Sequence, residues 1–192
     1  MTVPEADWDG RAGERIERAG VAVPDGWDRL WTPHRLAYLR GENRPADDEA
    51  GDQCPFCRVP ALADDESLVV ARGRHAFVVL NLYPYNPGHL MVCPYRHVGE
   101  YPDLTADETA DVATLTKESM RTLRVATMAH GFNIGMNQGR VAGAGIAGHL
   151  HQHVVPRWGG DTNFMPVVSG TKAMAQVLSD TRDLLAAEWQ SC

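Results

Sequence analysis

Short apolar runs bounded by turn residues dominate the middle of the chain. Three of them follow one another, at residues 67–73, 76–82 and 89–94. Runs of this length that are rich in Val and Leu and stop at Gly, Asp or Pro are typical of β-strands. Because residues 72–74 fit a turn, we expect the first two runs to form a hairpin and the third to follow in series.

The pattern then changes to a helical period. Thr105 and Glu108 fit a capping box, which marks the start of a helix. The helix is expected to continue to about residues 130–131. Its apolar face is formed by Val112, Leu115, Met120 and Leu123.

Two more strands and a last helix follow. Residues 132–137 and 150–156 predict strands, joined by the glycine-rich segment 139–148. A closing amphipathic helix is indicated by Met174, Val177, Leu178, Leu184 and Leu185. Strands in series around one long helix indicate an α+β domain, with an antiparallel sheet of about five strands and a C-terminal helix. We assign this domain to residues 53–192 and expect residues 1–52 to be a partly ordered, aromatic-containing N-terminal arm.

Composition narrows the functional classes. The chain has 192 residues, with 18 Lys or Arg against 25 Asp or Glu and a formal net charge of -7. Overall repulsion of polyanions, with no basic cluster to offset it, argues against a nucleic-acid partner. Neither a signal peptide nor an apolar run approaching the about 20 residues of a membrane helix is present. We therefore expect a cytoplasmic protein with no membrane partner.

Three histidines alternate in the last predicted strand: His149, His151 and His153. A strand places such residues on one face, about 6.5 Å apart, so we expect three imidazoles in a row. A neutral imidazole can attack phosphorus, and another can donate hydrogen bonds to phosphate oxygens. A zinc hydrolase that uses all three as ligands is disfavoured, because they would span about 13 Å. A nucleotide-binding module without turnover is a third hypothesis.

The histidines belong to a longer motif. Residues 148–155, Gly-His-Leu-His-Gln-His-Val-Val, resemble the His-φ-His-φ-His-φ-φ signature of the histidine triad (HIT) superfamily, with polar Gln152 at one apolar φ position. Residues 81–92 resemble the family's Asn to Pro-Gly-His segment, and residues 137–139 resemble its Asn-x-Gly turn. The resemblance covers about residues 54–165.

Within the superfamily, residues 83–86 and 155–161 look most like the diadenosine tetraphosphate (Ap4A) phosphorylases of actinobacteria. The resemblance implies that His151 attacks the α-phosphorus and forms a nucleotidyl-histidine. Inorganic phosphate or water then releases the nucleotide. It also implies an adenine nucleotide as the favoured substrate, with Ap4A as the best guess, and no organic cofactor.

The same resemblance assigns roles to other residues. His149 and His153 complete the catalytic set, with His153 orienting a non-bridging oxygen. Asn81 is expected to hold ribose hydroxyls, and Asn137 to contact the phosphate or the leaving group. Further substrate-binding candidates are His89, Gly143, Gly145 and Trp158. For His89, a structural role at the start of a strand is the alternative.

A metal site is the second site hypothesis. Cys54 and Cys57 form a Cys-x-x-Cys pair, which needs two more ligands to enclose a tetrahedral zinc ion. In related bacterial members and in hexose-phosphate uridylyltransferases, a Cys pair binds a structural metal together with a histidine after the third strand and the first triad histidine. The residues of this sequence that match these two histidines are His97 and His149. We therefore expect a structural zinc ion held by these four residues; reduced thiols on a loop are the alternative. Cys93 is expected to be a buried apolar residue.

The sequence departs from the family pattern at residues 142–148, which contain no side-chain donor. Relatives usually place Gln, Ser or Thr there, toward the phosphate or the leaving group. Backbone amides of a glycine-rich stretch can still bind an anion. Leaving-group specificity is therefore open, and hydrolysis of another adenylyl ester, anhydride or phosphoramidate is the alternative function. HIT proteins are typically homodimers, so we expect a dimer or a larger homo-oligomer.

Overall fold

The computed structural model describes residues 51–161 and 177–189. Its described residues form one antiparallel sheet of five strands. The strands are β1 (Val69–Arg72), β2 (Ala76–Leu80), β3 (Leu90–Pro94), β4 (Gly131–Met136) and β5 (Gln152–Arg157). Their order across the sheet is β1-β2-β3-β5-β4. The predicted α+β class is confirmed. The boundary of the N-terminal arm stays a prediction, since residues 1–50 lie outside the described part.

The described residues also form α-helices and short 3-10 turns. The helices are α1 (Pro55–Arg58), α2 (Asp64–Ser67), α3 (Ala106–Thr127) and α4 (Leu178–Trp189). The 3-10 turns are Gly51–Gln53, Val59–Ala61, Tyr101–Asp103 and Arg140–Ala142. Within the described ranges, none of the helices combines the length and the apolar character needed to cross a membrane.

The long helix α3 begins where its capping box predicts. The Thr105 side chain accepts from the Glu108 amide at 3.2 Å, and the Glu108 carboxylate accepts from the Thr105 amide at 2.8 Å. The helix ends at Thr127 rather than at residues 130–131, because Met128 turns into the left-handed region with φ of 55°. The predicted apolar face is buried at Val112, Leu115 and Leu123 and packs at Met120.

The C-terminal helix differs from its predicted face. Leu185 is fully buried, whereas Val177 and Leu184 are 63% and 44% exposed. The prediction that these two residues belong to the apolar face of the helix was therefore wrong. Val177 precedes the first turn of α4, and Met174 lies outside the described residues. Arg182 donates from Nε to the carbonyl oxygen of Val69 at 2.8 Å, which holds α4 against strand β1.

The sheet contributes residues to two separate clusters of buried side chains. The α3 face is a core that contains Val78, Leu80, Leu90, Val92 and Val154. A second cluster contains Cys54, Phe56, Val69, Phe77, Val79, Met91 and Cys93. Because side chains alternate along a strand, His153 points away from the face to which Val154 belongs. The candidate chemistry therefore lies on the sheet face opposite α3.

Candidate active site

The three histidines of the motif do not form a row on one strand. Strand β5 begins at Gln152, so His149 and His151 precede it and only His153 lies within it. The expectation that all three histidines lie within one strand was therefore wrong. The physical reason is local: the amide of Leu150 donates to the carbonyl of Val98 at 2.6 Å, instead of extending the β4–β5 ladder.

His151 is held in one tautomer. It is buried, and its Nδ1 atom lies 2.9 Å from the carbonyl oxygen of His149. Since a carbonyl oxygen only accepts, Nδ1 carries the proton and Nε2 keeps a free lone pair in the neutral ring. Burial lowers the pKa of His151, which the hydrogen bond to the His149 carbonyl partly opposes. The neutral ring is the form that can attack phosphorus.

His153 is held in the opposite tautomer through His89. The backbone amide of Tyr85 donates to His89 Nδ1 at 3.1 Å, and Asn81 Nδ2 lies 3.3 Å from the same atom. Asn81 Oδ1 accepts from the amide of Tyr83, which orients the Asn81 side chain with its NH₂ toward His89. Nδ1 of His89 is therefore an acceptor, and its protonated Nε2 donates to His153 Nδ1 at 3.0 Å.

The two tautomers are complementary. Because His153 Nδ1 accepts, the proton of the neutral His153 ring is on Nε2. The rings of His151 and His153 are 5.0 Å apart and nearly perpendicular, at 83°. One ring thus offers a lone pair and its neighbour offers an N–H donor. This is the combination that attack on a phosphoryl group requires.

A buried asparagine anchors the loop that carries Tyr85 and His89. Asn86 is 2% exposed and donates from Nδ2 to the carbonyl of Pro156 at 2.8 Å and to Asp161 Oδ2 at 3.0 Å. The guanidinium of Arg157 beside Asp161 lowers the pKa of that carboxyl to about 2. The ring of Tyr85 stacks on His89, with centroids 4.9 Å apart and an interplanar angle of 18°. The loop therefore supplies both the hydrogen bond and the aromatic cover of His89.

Four predicted ligands meet in a cluster that could hold a metal ion. Their ligand atoms lie within 4.8 Å of one another, and the residues are Cys54, Cys57, His97 and His149. Sγ of Cys54 is 3.3 Å from His149 Nδ1, and Sγ of Cys57 is 3.3 Å from His97 Nδ1. Ligand atoms about 3.3 to 3.8 Å apart are what a tetrahedral zinc ion with Cys and His ligands requires. The residues present therefore fit such an ion.

The protonation of His149 suits this cluster. Its Nε2 donates to the carbonyl of Pro94 at 2.9 Å, which leaves the Nδ1 lone pair toward the two thiols. Burial, together with the nearby His97 and His151 rings, lowers the pKa of His149 to about 4, although the hydrogen bond to the Pro94 carbonyl opposes this shift. A metal-binding imidazole must be neutral and commonly donates its second N–H to a carbonyl. Of the three motif histidines, only His149 belongs to the cluster.

The other predicted substrate-binding residues lie at different ends of the site. The pairing of Met136 with Gln152 places Asn137 just beyond β4, beside the position of His151. Gly143 has φ of 88° and Gly145 is half-buried, in the loop that leads to His149. Their roles stay predictions.

Two predicted positions have structural contacts. Trp158 follows the far end of β5, where its Nε1 donates to the carbonyl of Thr127 at 3.0 Å and covers the end of α3. Its role in substrate binding stays a prediction. Gln152, the polar residue at an apolar motif position, donates to Thr116 Oγ1 of α3 at 2.6 Å.

Sequence reasoning missed two aromatic residues of the site. Phe56 lies between Cys54 and Cys57 in the sequence, and its ring contacts His149 and His151. Tyr85 contacts His89 and His153. The position of Phe56 inside the Cys-x-x-Cys pair was a signal for the first, because any cluster formed by the pair carries the intervening residues with it.

Comparison with known proteins identifies the class of protein. The model of the HIT domain family matches residues 63–160. The chain therefore belongs to the HIT family of nucleotide-processing enzymes, as predicted. It is 51% identical to an AP-4-A phosphorylase of Mycobacterium tuberculosis over 172 residues, which cover 88% of each sequence.

Solved structures agree with this assignment. A Zn-bound histidine triad family protein from Mycobacterium smegmatis has a TM-score of 0.58 at 26% identity, covering 72% of this chain and 94% of that one. A hypothetical histidine triad nucleotide-binding protein from Sulfolobus tokodaii has a TM-score of 0.59 at 25% identity, covering 72% of this chain and 93% of that one. Both are similar to this chain in fold and in sequence.

Proposed function

We propose that this chain is an Ap4A phosphorylase, which converts Ap4A and inorganic phosphate into ADP and ATP. The observation that carries the proposal is the pair of opposite tautomers at His151 and His153. They match a reaction that needs one attacking nitrogen and one donor to a phosphoryl oxygen. The similarity to the Mycobacterium tuberculosis phosphorylase supports Ap4A as the substrate.

The reaction is a double displacement at one phosphorus atom. Nε2 of His151 attacks the α-phosphorus; the N–P bond forms as the bond to the bridging oxygen breaks, and ATP leaves. An oxygen of inorganic phosphate then attacks the same phosphorus, the N–P bond breaks, and ADP leaves with His151 restored. Nε2–H of His153 donates to a non-bridging oxygen throughout. Because His89 fixes this donor before substrate arrives, the donor stabilises the charge on the phosphoryl oxygen without reorganisation.

Substrate contacts are assigned to residues around this pair. Asn81, whose Nδ2 atom lies 3.3 Å from His89 Nδ1, is proposed to hold the ribose hydroxyls. Asn137 and the backbone amides of Gly143 and Gly145 are proposed to contact the phosphates and the leaving group. Because residues 142–148 offer no side-chain donor, hydrolysis of another adenylyl compound is the alternative that the experiment must separate.

We further propose a structural zinc ion as the occupant of the metal cluster. Cys54, Cys57, His97 and His149 would hold it, and the zinc-bound relative from Mycobacterium smegmatis supports this choice of metal. When bound, such an ion stabilises the fold around four protein ligands and supplies no open coordination position. Activation of the nucleophile is therefore assigned to the backbone of His149 and not to the metal.

A homodimer or larger homo-oligomer in the cytoplasm is proposed as the working form. Among the described strands, β4 lies at an edge of the sheet and exposes Ile134, whereas the β1 edge is held by Arg182. An open edge with an exposed apolar residue favours pairing with another chain. Light scattering on Ile134→Lys tests this: a shift to monomer supports β4 as the interface, and an unchanged mass contradicts it.

The proposed reaction is tested by incubating the protein with Ap4A, with and without inorganic phosphate, and separating the products. Phosphate-dependent formation of ADP and ATP is the expected result. His151→Ala is expected to lower kcat by on the order of 10⁴-fold or more. His75→Ala is the matched control, since His75 bonds to Asp111 and Tyr95 through its backbone. Formation of AMP and ATP without phosphate would indicate a hydrolase, and no turnover would refute the assignment of Ap4A.

A further inference from the structure

The ring of Phe56 packs against the ring of the proposed nucleophile. The centroids of Phe56 and His151 are 5.0 Å apart, at an interplanar angle of 40°. The same ring meets His149 at 5.5 Å and 67°. Phe56 is only 6% exposed, so its ring is held in place by its surroundings. It therefore lies between the ring of a proposed metal ligand and the ring of the nucleophile.

The orientation of His151 needs more than its one hydrogen bond. The attacking lone pair on Nε2 lies in the plane of the imidazole, so the tilt of that plane sets its direction. The Nδ1 bond to the His149 carbonyl fixes one edge of the ring. A rigid ring in contact with the His151 ring restrains the remaining tilt, and in-line attack is sensitive to such tilt.

Phe56 is itself rigidly placed. It sits in α1, where the amides of Cys57 and Arg58 donate to the carbonyl of Cys54 at 3.2 and 3.1 Å. Around its ring lies the second core cluster, which includes Val69, Phe77, Val79, Met91 and Cys93. The helix that carries Cys57 of the metal cluster therefore also carries the residue that packs on His151.

We propose that Phe56 is a positioning residue, which holds the plane of the His151 imidazole so that Nε2 points at the α-phosphorus. This inference rests on the proposed function, since it takes His151 as the nucleophile. It gives the Cys-Pro-Phe-Cys segment a second task beside holding a metal. Loss of the Phe56 ring should slow formation of the nucleotidyl-enzyme without weakening substrate binding.

The test compares two Phe→Leu substitutions in one cluster. Phe56→Leu removes the ring on His151, and Phe77→Leu makes the same change at a fully buried ring that contacts Tyr95 instead, at 5.4 Å. Zinc content, thermal unfolding, KM and the rate of adduct formation from radiolabelled Ap4A are measured on the full-length proteins. Ring-¹⁵N spectra report the tautomer and environment of His151.

The expected result is adduct formation slowed by about 10- to 100-fold in Phe56→Leu relative to Phe77→Leu. KM, zinc content and unfolding temperature should agree between the two variants, while the His151 ring-¹⁵N signals shift only in the first. Phe56→Met, which keeps the volume without the flat ring, repeats the comparison if Phe56→Leu does not fold.

Two failures are distinguishable. If the unmodified protein forms no adduct, or forms it at a residue other than His151, the proposed function is wrong. If the unmodified protein forms it and a folded, zinc-loaded Phe56 variant forms it as fast as Phe77→Leu, the positioning role is wrong.

Discussion

The carbonyl oxygen of His149 lies 2.9 Å from Nδ1 of His151, so a single residue connects the metal cluster to the proposed nucleophile. The His149 ring faces Cys54 and Cys57, while its backbone sets the tautomer of His151. Disorder in the cluster is therefore expected to reach the nucleophile through the backbone of His149, without any contact between His151 and a metal.

Replacing Cys54 by Ser should lower zinc content, unfolding temperature and kcat together, with kcat falling by about 10-fold or more. The physical reason is that the proposed zinc ion loses one of its four ligands, so the ring of His149 is held less firmly in the cluster. Metal analysis, thermal unfolding and kinetics on the same preparations measure the three effects. Cys93→Ala is the matched control, because Cys93 is equally buried but lies outside the cluster. A Cys54→Ser protein that keeps full activity after losing its metal would contradict the coupling.

Replacing His89 by Leu should lower kcat by on the order of 100-fold and change KM much less. His89 Nδ1 accepts from the Tyr85 amide, so the His89 proton is on Nε2, which donates to His153 Nδ1. Without His89, this hydrogen bond no longer keeps the proton of His153 on Nε2. His89→Gln can both accept and donate, so it should retain more activity than His89→Leu. Steady-state kinetics and ring-¹⁵N spectra of His153 check this. Equal kcat values for the two variants would show that His89 only fills space.

Local sequence patterns predicted the parts of the fold that local forces determine. The capping box of α3 follows from two residues one turn apart, Thr105 and Glu108. Its end was missed because the left-handed turn at Met128 has no glycine to mark it. Alternation of the histidines suggested one strand, but the bond from the Leu150 amide to Val98, 52 positions away in the chain, decides where β5 begins.

In the candidate site, too, the sequence predicted the residue types but not the contacts that depend on the folded chain. The histidine motif at residues 148–155, together with the segments 81–92 and 137–139, was enough to predict the family. The tautomers of the three histidines were not predictable, because the partner atoms are the carbonyls of Pro94 and His149 and Nε2 of His89, whose positions are set by the folded chain. The metal cluster was predictable because its ligands follow a spacing rule combined with the family resemblance.

Replacing Asn86 by Ala should destabilise the protein by about 1 to 3 kcal/mol, because the buried carbonyl of Pro156 loses its donor. Asn133→Ala is the matched control: Asn133 is exposed and only accepts from Arg157, so about 0.5 kcal/mol or less is expected. Urea unfolding measures both. A similar cost for the two variants would mean that the loop before His89 is not anchored through Asn86.

The stability of the fold should fall as the solution is acidified through the range in which Glu108 takes up a proton. Arg96 donates to both carboxylate oxygens of Glu108, at 2.9 and 2.7 Å, and lowers the pKa of Glu108 from 4.5 to about 2. Between these values the unfolded chain binds more protons than the folded one, so stability is present above pH 4.5 and is lost as the pH falls toward 2.

Glu108→Gln is the variant that isolates this contribution. It removes the titration and weakens the pairing with Arg96, so the variant should be less stable at pH 7 and lose less stability on acidification. Part of the dependence should remain, because Arg157 also lowers the pKa of Asp161 to about 2. Urea midpoints measured from pH 7 to pH 2 test this, with Glu118→Gln as control, since Glu118 pairs with the exposed Arg121 on the same helix. An acid dependence that is the same in Glu108→Gln and in the unmodified protein would show that the Arg96–Glu108 pair does not link the segment after β3 to α3 energetically.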